Sequence, residues 1–448
     1  MKTIAIKDFR CYSEKTMEFR SGINLLIGDN SVGKTSLLRA CNYVMNAFFA
    51  GYSQTYTKWE CAGSRDFRIY SSSKGTLMRA ERMVISFLPL ASDFPTITKI
   101  DGTKISLDCK KSFRIEKKSS KNAKPLVAGL KKMKEYCADL AANAHFFDKV
   151  KQEVVQLNAL PVYSYFSTED IHSSGAKFDK SGFKIEDQLA SFGYYRCSDS
   201  KGLFDCWINR LLVLQEADED RTDIDNVRNA IVQALGPNGC NIISDISFKV
   251  NKKKMVFTQV DGRKVEHDYL SDGYRRVVNI VLDIAIRCSL LNKELYGVDA
   301  YKKTHGTVII DEIDEHLHPE LQVRILKALH DTFPKIQFIV STHAPLVMSS
   351  VENTQENVVY KLEYKDGVYS HTELNTYGLD ASTIMDIYME QVPRDLFIDA
   401  EIKKIESLID AERYLDARAA LNKLLERPGS DANPDFARIE ATLSFFED

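Results

Sequence analysis

The sequence predicts an α/β fold around a parallel sheet, and three stretches carry that expectation. Ile23, Leu25, Leu26 and Ile27 form an apolar run that passes into Gly28-Asp29-Asn30-Ser31-Val32-Gly33-Lys34-Thr35, with helical spacing over Ser36–Asn46. Val308–Ile310 is a second run and ends on Asp311-Glu312. Ile336–Val340 is a third, and Ser341-Thr342-His343 follows it. From Asp268 onward strands and helices alternate in the manner of βαβ units.

Taken in order, Thr3–Lys7 and Thr16–Phe19 alternate as an antiparallel pair ahead of the first core strand. Phe67–Tyr70, Arg82–Leu88, Thr96–Lys99 and Lys104–Leu107 alternate between turn residues and read as an antiparallel side sheet. Ser112–Lys124 is basic and turn-rich, an expected exposed loop, and Leu126–Leu157 carries helical spacing, with Leu130, Met133, Tyr136, Leu140, Val150, Val154 and Leu157 on one side. Leu160–Phe166 returns to an apolar strand, and Ser167–Gly239 reads as a helical insertion with Phe204, Trp207, Ile208, Leu211, Leu212 and Leu214 as its stripe. Ile242–Val250 and Lys254–Val260 read as a hairpin. Ala381–Asp448 reads as three helices, with stripes Ile402, Ile405, Leu408, Ile409; Leu415, Leu421, Leu424, Leu425; and Phe436, Ile439, Leu443, Phe446. The expected parts are therefore 1–166, a head lobe with side sheet and helical arm; 167–240, the insertion; 241–380, the second head lobe; and 381–448, a helical partner or oligomer segment.

Whole-chain properties narrow the class. A chain of 448 residues can bury more than one core, and 44% apolar with 27% charged residues is ordinary for a globular protein. Its apolar runs fall short of the roughly 20 residues that span a bilayer, so a cytoplasmic location and no membrane partner are expected. Nine scattered cysteines without a CxxC fit reduced thiols. Lys99–Lys134 holds twelve Lys/Arg against three Asp/Glu, which would suit a DNA or RNA backbone, whereas a solvated loop is the plainer reading.

The chemistry resides in the three opening stretches. Gly28 to Thr35 fits G-x-x-x-x-G-K-[ST] between a strand and a helix, the setting of a phosphate-binding loop. Gly28 and Gly33 permit the turn, and Asn30 and Ser36 belong to the same cradle. Lys34 would reach the β and γ phosphates, and Thr35 would hold Mg²⁺ with Asp311. Glu312 would orient or deprotonate the attacking water, and His343 would sense the γ phosphate. Ser271-Asp272-Gly273 opens a long amphipathic helix, with Ser271 suited to capping it and Gly273 to a close approach. Arg10 is a further candidate contact. His316 and His318 are spaced as a structural pair rather than as ligands of one ion.

P-loop, Leu-Ser-x-Gly, apolar-strand-Asp-Glu and a following His, in that order, resemble the ABC-type ATPase heads of the RecF and SMC class. Ile6–Arg10 and His316–Pro319 resemble its RecF-like and OLD-like branch. That resemblance implies ATP with Mg²⁺ and a homo-oligomer in which Ser271 and Gly273 act on nucleotide held by Lys34 of a second copy. Asp314 would then lie at the interface. Ser31 replaces the family's usual second P-loop glycine, and Asp272 the signature's first, which points to slow turnover. Leu160–Asp170, Gly193–Trp207 and the tail from Pro393-Arg394 are similar to PtuA, the ATPase family of Septu and related retron anti-phage systems. This likeness implies an oligomeric switch that controls a separate HNH nuclease, PtuB. A RecF-like DNA-repair ATPase and the ATPase of a PARIS-type system are the alternatives.

Overall fold

In a computed structural model, the protein is described over residues 1–72, 75–119, 125–126, 128–148, 153–168, 190–199, 203–217, 221–249, 251, 253–389, 395–427 and 433–447. It divides into two compact units, Met1–Asp380 and Ala381–Asp448.

The first unit is built on a six-stranded sheet. Its order is Val162–Phe166, Gly306–Ile310, Ile336–Ser341, Ile23–Ile27, Val358–Lys365 and Val368–Leu374. The first five run parallel and the last is antiparallel to its neighbour. Every residue of the first four strands in that order is buried. Parallel strands covered on both faces need continuous apolar runs, which is why these segments lack alternation. Register sets Phe338 beside Ile23 and Ile310 beside Val340, so the chain segments that follow these strands leave the same end of the sheet.

A four-stranded antiparallel sheet, Tyr12–Glu18, Thr3–Phe9, Arg82–Leu88 and Phe113–Lys118, stands beside the core sheet. Its members alternate, and Met83, Ile85 and Phe87 are buried. The last strand corrects the expected loop at Ser112–Lys124. Its basic residues lie across from Arg82 but share Glu116, which pairs with both Arg82 and Arg114. Residues 120–124 lie outside the described residues. The helix expected over Leu126–Leu157 is confined to Lys131–Asn143; His145–Asp148 and Glu153–Gln156 then form an antiparallel pair. Val154 belongs to that pair and is exposed, and Val150 lies outside the described residues. Its helical phase with Leu140 is coincidental.

The long helix Asp272–Tyr296 is buried on nearly all sides, including Val277, Val281, Ile284 and Cys288. It carries one buried ionic knot. Arg287 and Asp283, neither exposed, pair at 2.7 Å. Asp283 also accepts from Trp207 Nε1 and Ser164 Oγ, both at 2.7 Å. Arg287 donates to the Gly193 and Tyr195 carbonyls at 2.7 and 3.0 Å. Described parts of the expected insertion are thus tied to the head, with helices Leu203–Ala217 and Thr222–Leu235; residues 169–189, 200–202 and 218–220 lie outside the described residues. Strands Ile243–Lys249 and Lys254–Gln259 pair as expected, and Lys264–Glu266 adds a third.

The second unit has four helices among its described residues, Ala381–Ile387, Leu396–Asp410, Tyr414–Leu425 and Pro434–Glu447, where three were expected. Ile402, Ile405, Leu421, Leu424, Phe436, Ile439 and Leu443 make its core. Leu415, assigned to the second stripe, lies outside at 83% exposure. Pro393-Arg394 and Pro428-Gly429 lie outside the described residues.

Candidate nucleotide site

Three neighbouring core strands deliver the site. Ile23–Ile27 ends at Gly28, Gly306–Ile310 ends at Asp311, and Ile336–Ser341 leads to His343. In open α/β sheets the carboxyl ends of parallel strands form the ligand crevice, because the connecting loops splay there.

The loop backbone is shaped by three left-handed residues: Gly28 at φ 139°, Ser31 at 73° and Gly33 at 95°. Ser31 therefore occupies the conformation that explains a glycine at this position in other loops of this type. The glycines are required by the protein itself. A Cβ on Gly28 would sit 2.4 Å from the Leu362 carbonyl oxygen, and one on Gly33 would sit 2.4 Å from Tyr12 Oη and 2.9 Å from Cys11 Sγ. Tyr12 donates to the Gly33 carbonyl at 3.0 Å, bracing the loop from behind. Gly33 opens helix Lys34–Asn46, whose buried face includes Leu37, Leu38, Cys41 and Val44. Asn30 and Thr35 are exposed and Ser36 is half-buried.

Lys34 is buried and donates to the Gly28 and Asp29 carbonyls at 2.6 and 3.0 Å. Burial lowers its proton affinity, opposed by the charges of Glu312, Asp311, Asp29 and Asp314. Asp311 is buried, and its carboxylate accepts from Ser341 Oγ at 2.5 Å. The same Ser341 oxygen accepts from the Glu312 amide at 2.8 Å. Glu312 holds φ 49°, unusual outside glycine. Burial raises its proton affinity, as do Asp311, Glu315 and Asp314, while Lys34 counteracts them. His343 is shifted the other way, mainly by burial and then by Lys34. Asp314 Oδ1 accepts from Thr342 Oγ1 at 2.5 Å and from the His343 amide at 3.3 Å, fixing the turn that carries this histidine.

The structure thus brings together Lys34, Asp311, Glu312 and His343. Ser271 and Gly273 occupy a different place. They line an open depression of about 320 Å³ with Asp272, His316 and His318, and none of its lining residues comes from the P-loop. Ser271 is the N-cap residue of its helix, yet its side chain makes no capping bond. Gly273 leaves room for the His316 carbonyl oxygen, 2.4 Å from where its Cβ would be, so its close approach is within the chain. His318 caps the next helix, its Nδ1 accepting from the Glu320 amide at 3.4 Å. Arg10 is engaged by Asp66 at 3.0 Å. Several cations of the basic stretch are likewise paired, Lys99 with Asp139 at 2.9 Å and Lys111 with Asp108 at 3.2 Å.

Three residues without an assigned role prove to hold the site. Tyr12 and Ser341 are described above. Arg276, 5% exposed, donates to the Asp311 and Glu312 carbonyls at 2.9 and 2.7 Å and pairs with Glu315 at 3.2 Å. It connects the long helix to the acidic turn. Arg276 lies three residues beyond the Leu-Ser-x-Gly motif, and an arginine on the inward face of a buried helix was the available signal.

A loop cradle whose free volume is set by two glycines, with a buried ammonium held by neutral oxygens facing two carboxylates, fits a polyphosphate and its divalent cation. The fold and the site define a P-loop nucleotide-binding head with an α/β core. The chain belongs to the AAA domain family, whose model matches residues 3–254; a second AAA domain model matches residues 211–349. It is similar to the retron Vc95 probable ATPase of Vibrio cholerae serotype O1 biovar El Tor, 39% identical over 153 residues, covering 33% of this chain and 29% of that one. The Septu protein PtuA of Bacillus thuringiensis is 25% identical over 179 residues, covering 38% and 44%. These matches therefore span less than half the length of either relative. Among solved structures, the SMC head bound to the C-winged helix domain of ScpA covers 86% of this chain and 99% of that chain at 16% identity and TM-score 0.48. Among the described residues, no helix is long and apolar enough to cross a membrane.

Proposed function

We propose that this chain is an ATP-binding and hydrolysing switch of a prokaryotic anti-phage defence complex of the Septu and retron kind. In this reading it works as a homo-oligomer and controls a separate HNH effector nuclease. The observation that carries the reading is the convergence of Lys34, Asp311, Glu312 and His343 on the ends of adjacent parallel strands. Relatives named as retron ATPase and PtuA support the defence setting.

The roles follow from the chain's own chemistry. The amides of the Gly28–Ser36 cradle and Lys34 bind the phosphates, Lys34 exchanging its two loop carbonyls for phosphate oxygens. Thr35 and Asp311 hold Mg²⁺, which when bound supplies charge neutralisation at the phosphoryl group. Ser341 keeps the Asp311 carboxylate aimed. Glu312 has an elevated proton affinity, which suits a carboxylate that accepts a proton from a positioned water. His343, kept neutral by burial and Lys34, offers one ring N–H to the γ phosphate. Ser271 and Gly273 serve the nucleotide of a second copy, for which their position on an open depression is suited.

Glu312→Gln tests the proposal. The expected variant binds ATP, fails to turn it over and elutes with ATP as a larger, longer-lived assembly by light scattering. A variant that releases ATP as fast as the parent removes Glu312 from the hydrolytic step.

A further inference from the structure

We infer that the head carries a second small-ligand site, a pocket for a nucleobase with its phosphate, at the far end of the P-loop helix. The pocket encloses about 320 Å³ where residues 55–60 cross the turn 194–199. It begins at Phe49, beyond a helix of 13 residues, about 20 Å from the phosphate cradle.

Its walls are aromatic and its rim is polar. Tyr195 stacks on buried Phe192, with ring planes 12° apart, and Tyr56 meets Phe192 and Tyr195 edge-on at 4.9 and 6.0 Å. Both tyrosines are only half-buried. Half-exposed aromatic rings in a concave site suit a planar heterocycle. Two rim ion pairs face the opening, Lys58 with Glu60 at 3.7 Å and Arg196 with Asp199; a phosphate would draw the cations and an exocyclic amine of a base the carboxylates. Arg196 pairs with Asp199 at 3.3 Å and holds φ 49°, so the rim charge is displayed by a turn that few side chains adopt. Base stacking combined with cations is the chemistry that recognises nucleotides, either free or at the end of a single strand.

The turn is also anchored to three elements that adjoin the first site. Asn42 Nδ2 donates to the Ser198 carbonyl at 3.2 Å, and Ser198 Oγ donates to Asn46 Oδ1 at 2.7 Å, both on the P-loop helix. The Tyr165 amide donates to the Cys197 carbonyl at 2.9 Å, on the strand beside the one ending at Asp311. Arg287 of the long helix donates to the Tyr195 carbonyl at 3.0 Å. A ligand here bears on the three elements that hold the P-loop, the acidic turn and Ser271.

The full chain carrying Lys34→Ala separates the two sites. Equilibrium dialysis against AMP, GMP, CMP and UMP, each alone, is expected to show one saturable site per chain for at least one of them. Lys58→Glu and Arg196→Gly, each in that background, should weaken it by about tenfold or more; glycine accepts the Arg196 conformation, so the second variant keeps the turn. Tyr195→Ala should cost about tenfold as well, with the thermal melt checking its fold. Five-nucleotide single strands of dA or dT binding with the same Arg196 dependence where mononucleotides do not would identify a strand end as the source. Absence of both kinds of binding, or binding indifferent to Lys58 and Arg196, overturns the proposal. Retention of parental ATP affinity in Lys34→Ala would instead sink the P-loop assignment, and this pocket would then be read from the Lys58 and Arg196 dependence alone.

Discussion

Replacing Arg276 with Met should leave ATP binding nearly intact and disable turnover. The guanidinium holds two carbonyls, those of Asp311 and Glu312, at 2.9 and 2.7 Å, and Glu315 at 3.2 Å. Hydrogen bonds from a charged donor contribute about 1.5–3 kcal/mol each, and the left-handed Glu312 stores about 1–3 kcal/mol of backbone strain that these bonds help to hold. Met keeps the length and apolar stem but none of the donors. Stability should fall by about 2–4 kcal/mol, and the Glu312 peptide should relax toward a common conformation. Losing about 3 kcal/mol of positioning at the hydrolytic carboxylate corresponds to roughly a hundredfold fall in turnover. The Lys34 cradle is built by other residues, so affinity for a non-hydrolysable ATP analogue should change by less than about threefold. Steady-state phosphate release and analogue titration read the two quantities separately, and Arg276→Lys should fall between parent and Met. A folded Arg276→Met chain with turnover within twofold of the parent would refute the positioning argument.

Lys34→Ala is expected to abolish ATP binding measured by calorimetry; undiminished affinity contradicts the cradle. Asp283→Ala leaves buried Arg287, Trp207 Nε1 and Ser164 Oγ without their common acceptor, and should cost about 3–5 kcal/mol in urea unfolding followed by tryptophan fluorescence; a loss under 1 kcal/mol would show the knot to be dispensable. Lys15, 4% exposed, rests on the Tyr369 carbonyl and His371 Nδ1 at 3.3 and 3.1 Å, and burial pushes its amine down to about 8. Between pH 8 and its ordinary range near 10.4 the unfolded chain holds the proton that the folded chain has released, so this contribution to stability rises with pH. Lys15→Met should therefore be the more stable protein at pH 7 by chemical denaturation, with its advantage shrinking by pH 10. A pH-independent difference would count against the buried charge.

Much of the core and of the candidate site was legible because it depends on adjacent residues. Gly28–Thr35 and Val308–Glu312 each place a reactive group immediately after a strand long enough to identify. Contacts between distant segments were not legible. Tyr12 reaches Gly33, Ser341 joins Asp311 to the Glu312 amide, and Arg276 crosses to both acidic carbonyls. The strand Phe113–Lys118 was hidden by Arg114, Lys117 and Lys118, which take part in an edge where charge is expected, with Glu116 pairing with Arg114 and with Arg82 of the neighbouring strand. Val154 and Leu157 fell into helical phase with Leu140 by chance, and only the pairing of His145–Asp148 with Glu153–Gln156 reveals the turn. Gly28, Gly33 and Gly273 stand out in the sequence as positions of close approach, and at each the neighbour requiring the space is the protein's own backbone or side chain.

The folded-back position of Lys34 sets a threshold on what can enter. Its ammonium already has two oxygens of the loop as company, at 2.6 and 3.0 Å, and Tyr12 stiffens that loop from the opposite side. On the proposed reading a phosphate must displace those neutral oxygens, which favours densely charged triphosphates over monophosphates and weak acids.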